Sequence, residues 1–264
     1  MKTFFKDFQG YRAYKKLPKN FKNIVFYSES FQDWHHLKPL LNGLLNQKIA
    51  VTYVTSDEKD PGLLKQSTGY RSVYIGKGFF RILFFQYLEA KLFFLTMLDL
   101  NNFELKRSIN PVHYVYLFHT LGSTHMVDHD NSYDHYDTIL CAGPHQKKEI
   151  QLRENNKGLI RKNLVSYGYP RLEKLIQLNV LPNNDRKVIL LAPTWGENSI
   201  INLIGMEICS IIIDQGYSLI LRPHHETLKR SPHLIDEIEK KFSNHESFKL
   251  VKEMGDSESL LQSD

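Results

Sequence analysis

Four places in this 264-residue chain carry side chains able to handle an anionic substrate, and each follows a short apolar run. His119 closes the run Pro111-Val112-His113-Tyr114-Val115-Tyr116-Leu117-Phe118 and is followed by Gly122, Ser123 and Thr124. Arg171 ends Gly168-Tyr169-Pro170-Arg171, after the run at 163–166. Thr194, Trp195 and Gly196 follow the run at 186–192, and Arg222 and His224 stand in Leu221-Arg222-Pro223-His224-His225. Histidine titrates near neutrality without tuning, so it can take or give a proton. Arginine grips phosphate with a planar fork, and the unpaired N–H groups of a helix start attract an anion. Ser123 and Thr124 suit a turn leading into a capped helix, so His119 is expected to act as a base beside an anion site. A histidine at a strand end can equally be bonded to a loop carbonyl, and a proline there can simply end the strand.

Other chemistries are poorly served. The chain has no Gly-x-Gly-x-x-Gly, no Gly-x-x-x-x-Gly-Lys-Ser/Thr and no Gly-x-Ser-x-Gly, which counts against dinucleotide, P-loop and serine-hydrolase sites. His125 and His129 have the spacing of a helical zinc pair, but the run His125-Met126-Val127-Asp128-His129 lacks the glutamate of His-Glu-x-x-His. No resident metal or cofactor is expected. Cys141 and Cys209 lie in apolar runs without paired spacing, the pattern of buried free thiols in a reducing compartment.

These residues need a frame that brings strand ends together. Short β-branched and aromatic runs alternate with helical patterns: strands at 24–27, 49–55, 71–75, 92–98, 111–118, 136–141 and 163–166, with helices at 32–47, between the third and fourth strands, and at 146–154. After Leu181-Pro182-Asn183-Asn184-Asp185 a second series begins, with strands at 186–192, 217–221 and 248–251 and helices at 200–214, 231–242 and from 257. Such alternation predicts doubly wound parallel sheets. In that architecture ligands bind beyond the carboxyl ends of the strands, where the four polar groups stand. The expectation is an amino-terminal Rossmann-like domain over 21–170 and a carboxy-terminal one over 171–264, with a cleft between them across which His119 and His224 look at each other. The second series stops mid-pattern at Ser263-Asp264, so the second domain is expected to be incomplete.

Residues 1–20 form a separate basic, aromatic arm in this reading. Lys2, Lys6, Arg12, Lys15, Lys16, Lys19 and Lys22 face only Asp7 in the first 22 residues, against a net charge of +5 for the whole chain. Phe4, Phe8, Tyr11 and Tyr14 fall near one another at helical spacing. The arm reads either as an interfacial helix on anionic lipid or as loosely ordered chain. Basic residues cluster here and not over a sheet face, which argues against nucleic acid as a partner. The apolar stretch 78–95 contains Arg81, Gln86, Glu89 and Lys91. These are costly in a bilayer, so it reads as a helix followed by a buried strand.

Taken in order, several stretches resemble the CDP-glycerol glycerophosphotransferase family, whose members build poly(glycerol phosphate) teichoic acids. They are Phe118-His119-Thr120 with Ser123-Thr124-His125-Met126, then Tyr133-Asp134-His135-Tyr136-Asp137 running to Ala142-Gly143-Pro144-His145, and Gly168-Tyr169-Pro170-Arg171. Ala192-Pro193-Thr194-Trp195-Gly196, Leu221-Arg222-Pro223-His224 and Leu260-Leu261-Gln262-Ser263-Asp264 follow. The resemblance implies a GT-B fold, two Rossmann-like domains with the active site in their cleft. It also implies that His119 is the base and that His224 lies by the donor diphosphate. Arg222, Thr194, Trp195, Gly196, Ser123 and Arg171 would bind substrate. The activity implied is transfer of glycerol phosphate, or a related polyol phosphate, from a CDP-activated donor to a hydroxyl of a polymer or lipid-linked acceptor. The enzyme would work in the cytoplasm, peripheral on the inner face of the membrane, with CDP-glycerol as substrate and no cofactor. A GT-B sugar-nucleotide transferase or epimerase, or an inactive truncated member serving as an interaction module, would share much of this pattern.

Overall fold

The computed structural model describes residues 2–101, 103–125, 129, 131–178, 187–253 and 258–264. The expected turn at 181–185, the middle of the His125–His129 run, Arg186 and Ser257 lie outside them. The chain divides into two compact units, Met1–Glu173 and Lys174–Asp264.

The first unit is built on seven parallel strands: β1 (Ile24–Ser28), β2 (Val51–Thr55), β3 (Tyr70–Tyr74), β4 (Leu92–Leu95), β5 (His113–Leu117), β6 (Thr138–Cys141) and β7 (Asn163–Ser166). Their order is β3-β2-β1-β4-β5-β6-β7, and every pairing is parallel. The chain steps outward from β1 in one direction, then returns and steps outward in the other, the doubly wound pattern. Parallel strands are covered on both faces and so read as unbroken apolar runs. Successive side chains point to opposite faces. Val25 and Tyr27 therefore enter one core with Phe93, Tyr114 and Tyr116, while Phe26 enters another with Phe94, Val115 and Leu117.

Helix α3 (Trp34–Asn46) closes the second core with Trp34, Leu37 and Leu41. The first core is closed by α1 (Lys2–Lys15), α4 (Phe79–Gln86) and α5 (Pro144–Lys157), through Tyr14, Phe84, Phe85 and Ile150. A short helix α2 (Lys19–Lys22) leads into β1. The basic amino-terminal stretch is thus an ordered helix packed into the first unit. Its Phe4, Phe8 and Tyr11 rings all lie against Phe80, with centroids 5.0, 5.4 and 5.9 Å away.

The second unit carries a three-stranded parallel sheet in the order β10-β9-β8, with β8 (Val188–Leu191), β9 (Ser218–Leu221) and β10 (Phe248–Leu250). Helices α7 (Ile200–Asp214) and α9 (Pro232–Phe242) pack on it through Ile201, Cys209, Ile213, Ile235 and Ile238. Helix α6 (Pro170–Leu178) joins the two series, and α8 (His225–Arg230) and α10 (Glu258–Leu261) complete the described elements.

Two local expectations are corrected. No helix begins at Ser123 or Thr124 among the described residues, because Glu149 of α5 takes up their hydroxyls and the Thr124 N–H. The loop expected after His224 is the six-residue α8, which His224 itself caps by accepting from the Glu226 N–H.

Candidate functional site

In the first unit the functional side chains gather at the carboxyl edge of the sheet. β5 ends at Leu117, and His119 follows two residues on. The Tyr169 hydroxyl donates to the His119 carbonyl at 3.1 Å, and the Tyr116 hydroxyl lies 3.5 Å from His119 Nδ1, at the outer reach of a hydrogen bond. Beside them is a residue that the motifs did not point to. His36, on α3, sits with its ring centroid 5.7 Å from that of His119 and 6.1 Å from that of Tyr169. Burial, then the neighbouring His119, Arg171 and His35, pulls the His36 pKa down to about 4. His36 is therefore neutral at physiological pH.

The Gly-Tyr-Pro-Arg motif has a physical reading here. Gly168 adopts a left-handed φ of +85°, where a Cβ would meet Glu173 Oε1 at 2.5 Å. That turn lets Tyr169 reach back to His119. Pro170 opens α6, where its missing N–H costs nothing. Arg171 then lies close enough to act on His36 and Tyr169.

The loop after His119 is fixed by α5. Gln146, fully buried, donates to the carbonyls of Thr120 and Gly122, each at 3.1 Å, and accepts from the Ala142 N–H at 2.8 Å. Glu149 accepts from Ser123 Oγ at 2.6 Å, from the Thr124 N–H at 2.7 Å and from Thr124 Oγ1 at 2.8 Å. Burial alone would raise the Glu149 pKa, but these hydrogen bonds bring it below the ordinary carboxylate value. Ser123 is thus held by Glu149 and also lies 2.9 Å from His125 Nδ1.

In the second unit the site residues group around the loop between β8 and α7. Thr194 and Trp195 are exposed, Gly196 takes a φ of +112°, and α7 begins only at Ile200. Thr194–Gly196 is therefore a loop and not a helix start. Trp195 stacks on His224 with centroids 6.2 Å apart, and His224 stacks on His225 at 4.3 Å. His224 Nδ1 accepts from the Glu226 N–H at 3.2 Å, so in the neutral ring the proton resides on Nε2. Burial, with His225 adding to it, lowers the His224 pKa and favours that neutral ring. Glu226 is bound by Arg230 at 2.8 Å and Lys229 at 3.0 Å, and its pKa falls to about 2. The Arg230 guanidinium also lies 5.1 Å over Trp195. Arg222, just past the end of β9, donates to Ser259 Oγ of α10 at 2.8 Å.

The second unit thus holds Trp195, Gly196 and His224 together and directs Arg222 toward α10; the first unit places His119 and Arg171 about His36 and holds Ser123 on Glu149. The sequence reading quoted Tyr169 only within the Gly-Tyr-Pro-Arg motif and missed His36, Gln146, Glu149, Glu226 and Arg230. Only the last pair left a local signal, the helical spacing of a glutamate and an arginine. Among the described residues no three His, Cys, Asp or Glu side chains group as metal ligands. Cys141 and Cys209 are buried free thiols whose pKa burial raises to about 11.

No family model and no curated protein matches the chain. Solved structures do. The wall teichoic acid polymerase TagF aligns over 99% of this chain and 70% of its own, with 15% identity and a TM-score of 0.53. The UDP-GlcNAc 2-epimerase from Methanocaldococcus jannaschii aligns over 91% of this chain and 75% of its own, with 14% identity and a TM-score of 0.53. A putative UDP-N-acetylglucosamine 2-epimerase from Listeria monocytogenes aligns over 88% and 69%, with 10% identity and a TM-score of 0.53. The fold is GT-B-like. Within it, the seven-stranded unit carries His119, and the three-stranded one carries Trp195, Arg222 and His224.

Proposed function

We propose that the chain is a glycerophosphotransferase-like enzyme that moves glycerol phosphate, or a related polyol phosphate, from a CDP-activated donor to a hydroxyl of a cell-surface polymer or lipid-linked acceptor. The observation that carries this reading is the state of His224. Its Nδ1 is occupied by the Glu226 N–H, which leaves Nε2–H to donate to a phosphate oxygen beside Arg222 and the Trp195–Gly196 loop. His119, held at its carbonyl by Tyr169, is the base. It takes the acceptor O–H proton while that oxygen attacks the β-phosphorus. The bond from that phosphorus to the bridging oxygen breaks, and CMP leaves with the electron pair. His224 and Arg222 stabilise the charge that develops on the diphosphate. The titrating groups in this scheme are imidazoles, suited to proton transfer at neutral pH.

The fold likeness to TagF, one of whose structures is of a histidine-to-asparagine variant with CDPG, supports the reading at the level of architecture. The test is CMP release from CDP-glycerol with polyol and polymer acceptors. His119→Ala is expected to lower kcat by about 10²–10⁴ while calorimetric donor binding stays intact. Turnover that survives this substitution removes His119 as base. Tight binding of UDP-GlcNAc without binding of CDP-glycerol transfers the site to sugar-nucleotide chemistry, the alternative that the epimerase likeness supports.

The same reading places the enzyme on the cytoplasmic face of an anionic membrane. No helix among the described residues is long and apolar enough to cross one. Phe4, Phe5 and Phe79 are each more than half exposed on α1 and α4, next to a stretch rich in lysine, an arrangement that suits interfacial binding. Removing α1 would strip the buried Tyr14 from the core, so the test is Phe4→Ser with Phe5→Ser. Loss of sedimentation with anionic vesicles is expected, and unchanged sedimentation refutes the membrane role.

A further inference from the structure

A recess of about 350 Å³ in the second unit has Trp195, Glu197, Glu226, Thr227 and Arg230 in its lining. Trp195 forms one wall and, through its stacking, continues to His224. Thr227 is 4% exposed, and its Oγ1 is buried with no hydrogen-bond partner among the described residues. A buried hydroxyl without a partner is uncommon in a folded protein and calls for a ligand or water. The charges on the lining are informative too. Arg230 is spent on the Glu226 carboxylate and the Trp195 ring, while Glu197 adds a second carboxylate. With two carboxylates and one guanidinium, the recess is unsuited to a phosphate. It suits a neutral group whose hydroxyls donate to carboxylates and whose C–H bonds lie on an indole face.

We propose that this recess binds the hydroxylated head of the donor, a glycerol or similar polyol, with its attached phosphate outside against His224. This deepens the function proposed above and rests on it for the donor, although the recess itself can be tested separately. Thr227 Oγ1 would give and accept one hydrogen bond with a polyol hydroxyl, Trp195 would cover the carbon chain, and Glu197 would accept from a terminal hydroxyl. Glu226, already held by Arg230 and Lys229, would act as a positioning residue through His224, whose Nδ1 its N–H fixes.

The experiment is calorimetric titration of CDP-glycerol and of CDP into the wild-type protein, Thr227→Val and Thr227→Ser. CDP-glycerol is expected to bind the wild type more tightly than CDP. Thr227→Val, nearly isosteric, should weaken CDP-glycerol by roughly three- to tenfold, the size of one hydrogen bond, and leave CDP unchanged. Thr227→Ser, which keeps the hydroxyl, should restore the difference. Equal losses for both ligands, or no loss in Thr227→Val, overturn the proposal. Failure of both nucleotides to bind the wild type discards the donor reading, and the recess is then judged with glycerol 3-phosphate against inorganic phosphate, followed by tryptophan emission. A saturable response to glycerol 3-phosphate alone that Thr227→Val abolishes sustains the polyol recess. No response, or the same response to inorganic phosphate, refutes it.

Discussion

The imidazole of His36 lies beside that of His119 in the first unit, 5.7 Å between centroids at an interplanar angle of 60°. One comes from a helix that covers the sheet, the other from the end of a central strand. Burial, and after it the repulsion of a proton by His119, Arg171 and His35, brings the His36 pKa to about 4. In an unfolded chain histidine titrates near 6.5. Between roughly pH 6.5 and 4 the unfolded chain therefore binds a proton that the native one refuses, so stability falls as pH falls through that window and is whole above it. The cost at its lower end is on the order of 1–3 kcal/mol after allowance for partial exposure. His36→Gln, which cannot ionise, should move the acid-unfolding midpoint followed by circular dichroism to lower pH. A midpoint that stays put or rises shows that His36 carries no such proton penalty.

The loop after His119 depends on two α5 side chains, Gln146 and Glu149. Gln146→Leu would strand the Thr120 and Gly122 carbonyls and the Ala142 N–H, at a cost of about 2–4 kcal/mol. Glu149→Gln keeps the shape but loses the charge that three donors converge on. Its expected signature is kinetic: kcat falls while calorimetric donor affinity holds, since the loop positions the base and not the nucleotide. A parallel loss of donor affinity contradicts that division of labour.

The frame was legible in the sequence because buried parallel strands announce themselves as unbroken apolar runs. Ile24-Val25-Phe26-Tyr27 is found where it was read, as is the helix at 200–214, and Asn163-Leu164-Val165-Ser166 is also a strand, although a mostly exposed one at the sheet edge. His119 was legible for the same reason, as a polar residue just past such a run. Its surroundings were not. His36 sits in a helix whose leucines explain the pattern, and only the order of β1, β4 and β5 brings that helix to His119. Ser123 and Thr124 look like helix caps until a carboxylate remote in sequence claims them. Helix α8 is too short and too polar for periodicity to show, and it is held by the His224 cap and by Glu226 bonded to Lys229 and Arg230.

Two glycines predict opposite outcomes for one substitution. At Gly10 of α1 a Cβ would collide with the Tyr74 carbonyl oxygen, so the helix touches β3 backbone to backbone. Gly10→Ala must push α1 off the core that Tyr14 completes, and a loss of about 2–4 kcal/mol with faster proteolysis of the first 20 residues is expected. At Gly43 of α3 nothing lies within 4 Å of the added methyl. Gly43→Ala should therefore stabilise by about 0.5–1 kcal/mol through helix propensity. Thermal denaturation of the pair decides it, and equal shifts contradict the packing described for α1.

Asp60 holds the ends of β1 and β2 at the same edge of the sheet as His119. It is 1% exposed; its Oδ2 accepts from Ser28 Oγ, Tyr53 Oη and Thr55 Oγ1, and its Oδ1 accepts from the Gly62 N–H. Four donors on one carboxylate leave an amide no good orientation. With the amide oxygen kept toward the hydroxyls, the NH₂ of an Asp60→Asn variant would confront the Gly62 N–H. Turned over, that NH₂ would face the three hydroxyls instead. Asp60→Asn should thus cost about 2–4 kcal/mol, or roughly 5–15 °C in Tm for a unit of this size. Tyr53→Phe removes one of the four donors and leaves the acceptor with three, so it should cost less, about 1 kcal/mol. Asp60→Asn must therefore be the more damaging of the two in thermal denaturation. The reverse order would mean that the Tyr53 hydroxyl, and not the charge on the carboxylate, secures this edge, because phenylalanine keeps the ring packed against Trp34.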